Sequence, residues 1–212
     1  MNILRIIGAF ALMGWAHPLG AETVVIGPGT PGPKWESLIG ALARKGPIRA
    51  AFTERRHFAF RREATVLTGV LRFSPRLGLS LQYMRPEESI LIADSRGLEI
   101  RDSTGRSRDI PAGSGAAGVI EAILPIMQFD MPALYRAFIV HGEMTGEGWS
   151  LEFTPKDADL SEAFGSIVVS GSSTDVKRLE FKRAGSMHVE IDVGETQTGV
   201  SFSQDELKKY FR

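Results

Sequence analysis

The chain contains 212 residues, of which 43% are hydrophobic and 24% are charged, and its 25 lysines and arginines balance its 25 aspartates and glutamates. These values are typical of a globular protein with one domain, and they lack the basic excess expected of a nucleic-acid-binding protein. The sequence has no cysteine, which excludes a disulfide-stabilised scaffold. The fold must therefore be held together by its own hydrophobic core.

Residues 1–21 are predicted to be a secretory signal peptide. Arg5 precedes an apolar run from Ile6 to Ala16, and small residues then offer cleavage after Ala16 or Ala21. The run is too short to span a bilayer, and the alternative interpretation is a buried N-terminal helix. No cysteine follows the run, so lipid attachment there is excluded, and we expect a soluble protein of the bacterial periplasm.

Residues 22–34 are rich in glycine and proline and predict a flexible leader, followed by a single domain over residues 35–212. The GxGxxG spacing of residues 27–32 is similar to that of a dinucleotide-binding loop. However, Pro28 and Pro31 lack the N–H groups that such a loop directs at phosphate. We therefore reject a dinucleotide site.

The domain begins with a predicted helix and then turns to strands. Apolar residues recur at helical spacing from Trp35 to Arg44, and Gly46-Pro47 ends the pattern. Alternating residues then predict one long strand, a strand at Val66–Phe73 and three more within Leu79–Asp102. Apolar and charged side chains share one face of the long strand, namely Phe52, Glu54, Arg56, Phe58 and Phe60.

The strands between Leu71 and Asp102 carry more apolar positions than a sheet with one solvated face needs. An ordinary core is one explanation. A cavity that holds an apolar ligand is the other.

The middle of the chain predicts helices. From Ala116 to Gly142 the sequence is apolar over most of two short helical segments, which we expect to break near Pro125 and Pro132. Helices this apolar must be covered by other elements. Strands then resume, at Trp149–Phe153, Ile167–Ser170, Val176–Lys182, Met187–Val193 and Gly199–Phe202. Many short strands favour a barrel or a strongly curved sheet.

Nothing in the sequence makes a positive case for catalysis. His57, His141 and His188 are far apart in the sequence, and none has a second ligand type at metal-binding spacing. A GxSxG nucleophile motif is also missing. We expect no catalytic residue, no metal and no cofactor.

A basic run between Arg44 and Arg62 suggests a different role. Its arginines are candidates for docking on an acidic partner or on anionic lipid head groups. The alternative is that they are solvated charges that protect strand edges from aggregation. The four candidates for docking are Arg49, Arg55, Arg56 and Arg61.

Four short motifs occur in an order that is typical of one protein family. Arg85–Asp94 contains a proline, an acidic pair, a serine and aliphatic residues before an aspartate turn. Ala50–Glu54 is similar to the family's first-strand motif, and Gly69–Leu71 to the start of its second strand. Leu151–Lys156 is similar to its Leu-Thr-Pro-Lys segment. These four motifs follow one another along the chain as they do in the family. Between Trp35 and Phe202, the sequence therefore resembles the LolA-type outer-membrane lipoprotein carriers.

This resemblance implies a mainly β fold with some α structure. It is an open, incomplete antiparallel β-barrel with an N-terminal helix and a helical lid over its concave apolar face. The resemblance also implies a monomeric carrier that receives acylated lipoproteins from an inner-membrane transporter, shields their acyl chains and passes them to an outer-membrane receptor. The alternative is a carrier or fixed binding module for another acylated, glyco- or polyene lipid of the envelope, and a hydrolase is the third hypothesis.

The resemblance assigns roles to the apolar residues. The broad strand face becomes the wall of an acyl cavity, formed by Leu71, Phe73, Leu79, Leu81, Tyr83, Ile90 and Ile92. The apolar helices become the lid, with Ile120, Ile123, Leu124, Met127, Met131 and Leu134.

One position departs from the family's pattern. The family keeps an arginine before a proline at the end of the second strand, where it holds the lid closed. An ungapped alignment places Pro75 at the arginine position and Arg76 at the proline position. Arg76 is therefore the candidate latch, although strand alternation would point it in a different direction.

Overall fold

The computed structural model describes residues 23–29, 32–111, 118–146, 148–182 and 187–212. The predicted signal peptide lies outside these ranges. Side chains are described throughout them, except at 118–121, 159, 163–164 and 187.

Twelve strands form one antiparallel sheet in the described part of the chain. They are β1 (Thr23–Ile26), β2 (Ile48–Phe58), β3 (Thr65–Ser74), β4 (Gly78–Arg85), β5 (Ser89–Asp94), β6 (Gly97–Asp102), β7 (Ser107–Pro111), β8 (Phe138–Thr145), β9 (Gly148–Pro155), β10 (Ser166–Ser172), β11 (Asp175–Lys182) and β12 (Met187–Thr198). Their order is β1-β8-β9-β10-β11-β12-β2-β3-β4-β5-β6-β7. Because β1 and β7 are the two edges, the sheet does not close. The predicted open antiparallel barrel is confirmed.

Five helices accompany the sheet among the described residues. They are α1 (Pro33–Ala43), α2 (Gly118–Gln128), α3 (Met131–Ala137), α4 (Ala158–Phe164) and α5 (Gln204–Tyr210). Helix α1 starts with a proline, which fits the first turn because its missing N–H has no partner there. It buries Trp35, Ile39 and Leu42. This is the N-terminal helix predicted from the sequence.

Of the two predicted helix breaks, the one near Pro132 is found and the one near Pro125 is not. Pro125 lies inside α2, and Pro132 lies in the first turn of α3. The chain turns between the two helices at Phe129, whose φ is 50°, and at Asp130, whose side chain accepts a hydrogen bond from the N–H of Ala133. An N-cap carboxylate of this kind satisfies a helical N–H group that has no backbone partner, and so begins a new helix.

One face of the sheet is apolar from edge to edge. Directly opposed residues of an antiparallel pair lie on the same face, and Leu71 opposes Leu81 while Phe73 opposes Leu79. On the other side of β2, Phe52 opposes Val193. Buried residues extend this face through β11, β10, β9, β8 and β1, namely Leu179, Val169, Leu151, Phe153, Val140 and Ile26. Helices α1, α2 and α3 pack into the same hydrophobic cluster, so we call this side the concave face.

The predictions failed at both ends of the domain. Thr23–Ile26, within the predicted flexible leader, is a strand that pairs with β8, and Ile26 is buried. Strand β12 runs on to Thr198, so the strand predicted at Gly199–Phe202 does not exist. Strands β7 and β8 were not predicted, because β7 has one aliphatic side chain and β8 continues the apolar pattern of α3.

Helix α5 covers the opposite, convex face. The Arg72 guanidinium lies 3.6 Å from the centre of the Tyr210 ring, and both residues are buried. Arg212 then donates to Asp94 Oδ1 at 2.6 Å and to the carbonyl of Gly97 at 2.9 Å. The C-terminal segment is thereby fixed across strands that also form the concave face.

The Asp94 contacts predict an acid-dependent stability. Burial alone would raise the pKa of Asp94, but hydrogen bonds from Arg96 and Arg212 outweigh it and hold the pKa below its ordinary value. A carboxyl with a lowered folded pKa stabilises the fold above its unfolded pKa, about 3.9, and this contribution is lost as the pH falls through the folded value. The free energy of unfolding should therefore fall more steeply between about pH 5 and pH 2 in the wild type than in Asp94→Asn.

Urea unfolding at a series of pH values measures this difference. Asp109→Asn is the matched control, because Asp109 also pairs with Arg212 but its side chain is 67% exposed. Parallel pH profiles for the wild type and Asp94→Asn would show that the Arg212 contact contributes no acid-sensitive stability.

Candidate functional site

A cavity of about 280 Å³ lies between the concave face and the helices that cover it. This volume is near the lower limit for small-molecule sites, roughly 300–1,000 Å³. The sheet supplies aliphatic and aromatic side chains from five strands, namely Ile48, Leu71, Phe73, Val169, Val176, Leu179 and Val193. The C-terminal end of α1 supplies Leu42, and α2 with the turn after it supplies Ile126, Met127 and Phe129.

Few polar contacts join the helical cover to the strands among the described residues. Lys156, directly after β9, donates its backbone N–H to the carbonyl of Ala137 at 2.9 Å and its Nζ to the carbonyl of Tyr135 at 2.7 Å, so the C-terminal end of α3 is held in place.

Within the described ranges, helix α2 has one such contact. Gln128 Nε2 donates to the carbonyl of Pro75 at 3.4 Å, a long and weak hydrogen bond. Within α2, Pro125 has no N–H to donate to the preceding turn. Phe129 adopts a positive φ that side-chain-bearing residues rarely adopt. Apolar contacts therefore supply most of the closure by α2, and the helical backbone is interrupted between α2 and α3.

The predicted wall residues fall into three groups. Leu71 and Phe73 line the cavity. Leu79, Leu81 and Tyr83 lie on the same face but are packed in the core beside it. The remaining two predicted wall residues, Ile90 and Ile92, were assigned to the wrong face.

Ile90 and Ile92 do not lie on the wall. They oppose Gln82 and Ser80, so they belong to the convex face, where Ile92 is fully buried. The concave positions of β5 are Leu91 and Ala93, which oppose Leu81 and Leu79. Because strand side chains alternate, an error of one residue in the register moves the whole strand to the other face.

The predicted lid residues lie in α2 and α3. Met127 lines the cavity, and Ile123 and Leu124 are half-buried against the core. Met131 and Leu134 are buried beneath the cover. The side chain of Ile120 lies outside the described part of the structure. The sequence prediction missed Ile126 and Phe129, although Ile126 follows Ile123 at helical spacing and this spacing was a usable signal.

Arg76 is an exposed residue of the turn between β3 and β4. Its side chain makes no hydrogen bond or ion pair with another described residue. The turn that contains Arg76 does contact the end of α2, but through the hydrogen bond from Gln128 to the carbonyl of Pro75. Arg76 as the latch remains a prediction without a contact to support it.

The four predicted docking arginines do not share one surface. Strand alternation places Arg49 and Arg55 on the convex face and Arg56 on the concave face, while Arg61 follows the end of β2. Three of them are neutralised by carboxylates, and the fourth bonds a hydroxyl. These pairs are Arg49–Glu206, Arg55–Asp192, Arg56–Glu54 and Arg61–Thr65.

A polar cluster interrupts the concave face at the far end of β2. Glu54 is only 3% exposed; its carboxylate accepts from Tyr83 Oη at 2.7 Å and from Arg56 Nε at 2.5 Å. Burial raises the pKa of Tyr83, and the charge of Glu54 raises it further. Burial alone would lower the pKa of Arg56, but Glu54 outweighs it and raises the pKa. The raised pKa values keep the Tyr83 phenol neutral and the Arg56 guanidinium charged.

The described residues show no arrangement suited to metal catalysis. His57 and His188 are neighbours, with ring centres 5.6 Å apart, but no three metal-ligating side chains come together among the described residues. None of the helices in the described ranges has the length and apolar character needed to cross a bilayer.

This architecture, an open antiparallel barrel with an apolar cavity under helices, defines the class of fold. No family model and no curated protein matches the chain. Among solved structures, the chain is similar to a LolA superfamily protein from Nitrosomonas europaea. The two sequences are 8% identical, the match covers 81% of this chain and 96% of that chain, and the TM-score is 0.44.

Two further structures show likeness at the same level. A putative outer-membrane lipoprotein-sorting protein domain from Vibrio parahaemolyticus has 9% identity over 82% of this chain and 94% of that chain, with a TM-score of 0.45. The MucA/MucB complex of Pseudomonas aeruginosa has 13% identity over 82% of this chain, with a TM-score of 0.43, and the match spans 59% of that chain. At such low identity these likenesses concern the fold alone.

The different packing of two apolar residues gives a test of where the core ends and the cavity begins. Leu81 is packed between Leu71 and Leu91, so Leu81→Glu should bury an unpaired carboxylate at a cost of several kcal/mol and largely unfold the protein. Met127 is half-buried at the cavity, so the carboxylate of Met127→Glu can reach water and this variant should stay folded. Circular dichroism and thermal melting compare the two. Equal melting temperatures would mean that Leu81 also faces open space.

Proposed function

We propose that this protein binds the acyl chain of an envelope lipid in the cavity and carries it through the periplasm. The observation that supports this most directly is the apolar cavity covered by α2, whose described polar contact with the strand side is one weak hydrogen bond. Its lining consists mainly of aliphatic side chains with Met127 and two phenylalanines. Such a lining suits a flexible chain, because aliphatic and methionine side chains repack around it.

The size of the cavity sets a condition on loading. At about 280 Å³, the closed cavity is smaller than most ligand sites, so a long chain must displace α2 as it enters. Displacement requires that the closed, empty form be only weakly favoured over the open form. Pro125 and Phe129 both weaken the helical cover at the place where it would move.

Acylated lipoproteins are our first candidate for the cargo. Under this proposal an inner-membrane transporter is the donor, an outer-membrane receptor is the acceptor, and the protein acts as a monomer without catalysis. The motifs that resemble the LolA-type carriers support this choice.

Another acylated, glyco- or polyene lipid of the envelope is the second candidate. The observation that favours it is the β3–β4 turn, where the family's latch arginine is replaced by Pro75 and where Arg76 is exposed. If no arginine holds the lid closed, the release of the cargo must be controlled by another contact. This favours a cargo other than the lipoproteins that the family carries. Dependence on a single lipid-biosynthesis cluster, rather than mislocalised lipoproteins, would distinguish this candidate in a deletion strain.

Filling the cavity should abolish chain binding without unfolding the protein. Val176 lines the cavity and is half-buried, so Val176→Phe should occupy much of the free space and lower the affinity for a fluorescent fatty-chain probe by about ten-fold or more, the loss of roughly two buried methylene groups. Val66→Phe is the matched control, because Val66 is 50% exposed and is not among the cavity residues. Equal affinities for both variants would overturn the cavity as the binding site.

Mass spectrometry identifies the cargo. The protein is recovered from its native periplasm without detergent, and co-purifying lipids or lipoproteins are compared between the wild type and Val176→Phe. We expect an acylated molecule that is depleted in the variant. A wild-type protein without any acylated molecule in either the native sample or the probe assay would contradict the proposed function.

A further inference from the structure

The Glu54–Arg56–Tyr83 cluster is an unusual element of an apolar face. Glu54 and Arg56 are two residues apart on β2, so both point to the concave side together with Phe52. Four neighbours of the pair on that face are apolar and half-buried, namely Phe58, Leu67, Phe181 and Val189. A charged pair therefore lies among mainly apolar side chains, with Thr65 opposite Arg56 and the Tyr83 hydroxyl as the other polar groups named there.

Stability does not account for this pair. Removing a buried carboxylate from water costs several kcal/mol, and its attraction to a partner often only offsets that cost. Apolar residues of similar size are often as stable or more stable at such positions. Strands on both sides of β2 supply apolar residues at the same level, with Val189 opposite Arg56 and Leu67 opposite Glu54.

The geometry leaves Arg56 available to a ligand while Glu54 is not. The Glu54 carboxylate is buried and accepts from both Tyr83 and Arg56. The Arg56 side chain uses Nε for Glu54, and 38% of it remains exposed. A guanidinium has five N–H donors, so further donors remain for an anion. Glu54 and the Tyr83 ring, 5.9 Å from Arg56 Cζ, hold the group in place.

We propose that Arg56 binds the anionic head group, a carboxylate or a phosphate, of the lipid whose chain occupies the cavity. This inference rests on the proposed function and adds the charge class of the cargo. Arginine pairs with both kinds of anion through two parallel hydrogen bonds. Arg56 lies four residues along β2 from Phe52, about 13 Å, and Phe52 opposes the cavity residue Val193. The chain would extend from Arg56 along this part of the face into the cavity, and because Phe52 is only 3% exposed, the chain must displace the side chains that cover Phe52.

Four amphiphiles with the same sixteen-carbon chain test the head-group site. They carry a carboxylate, a phosphate, a neutral hydroxyl or a trimethylammonium group, and each is titrated below its micelle concentration against a neutral fluorescent probe in the cavity. The wild type should bind one or both anionic compounds about ten-fold or more tightly than the alcohol. The trimethylammonium compound should bind no better than the alcohol.

The principal variant is the double substitution Glu54→Leu with Arg56→Leu. It removes one charge of each sign, so the net charge is unchanged, and it leaves no buried carboxylate unpaired. We expect it to fold, to bind the alcohol with an affinity within about two-fold of the wild type, and to lose the preference for anions. Arg56→Lys keeps the charge but not the paired donors, and should lose part of the preference. Arg108→Gln removes an exposed charge on β7, five strands away from β2, and should keep all of it.

The outcomes separate this inference from the proposed function. An anion preference that survives in the double variant, or a wild type that binds all four amphiphiles equally, would overturn the head-group site and leave the cavity intact. Loss of the preference in Arg108→Gln to the same extent as in the double variant would also overturn it. Failure of the wild type to bind any of the four compounds would overturn the proposed function and this site together. A stronger response to phosphate or to carboxylate would identify which head group the site accepts.

Discussion

The pairing register of one continuous antiparallel sheet is the constraint on which the rest of the structure depends. From β1 to β7 every strand pairs with its neighbours, so each side chain is committed to one of two faces. A shift by one residue in any strand would exchange its apolar and polar sides. The same register therefore creates the cavity, places Glu54 and Arg56 on the concave face, and leaves Arg49 and Arg72 for the contacts with α5.

Alternation along single strands was enough to predict much of the concave face. Leu71, Phe73 and Leu81 were assigned to one side, and their pairing confirms it. Strand β5 was assigned wrongly because both of its faces are apolar, with Leu91 on one side and Ile92 on the other. Its second apolar face is explained by α5, which covers the convex side far along the chain. Periodicity within one strand cannot reveal a contact made by a segment about a hundred residues away.

The cavity was harder to predict than the fold for a related reason. Its lining comes from α1, from five strands and from the turn after α2, and no single segment carries a motif for it. Residues such as Val169 and Val193 had the pattern of ordinary core, and only the space left between them and Ile126 distinguishes them. The charged residues at Glu54 and Arg56 were visible as intrusions on an apolar strand, but their pairing with Tyr83 required the three-dimensional register.

The C-terminal segment makes the two halves of the sheet mechanically unequal. Its contacts reach β2 through Arg49, β3 through Arg72, β6 through Arg101 and the β5–β6 turn through Arg212. Because these contacts link the segment to several strands at once, they resist changes in the curvature of that part of the sheet. The described contacts of this segment do not extend to β8, β9, β10 or β11, and a sheet that does not close can flex there without breaking its hydrogen-bond ladder. Under the proposed function, bulky cargo would bend the half of the sheet that this segment does not reach, where the packing of the concave-face helices resists it, while the half that the segment contacts keeps its shape.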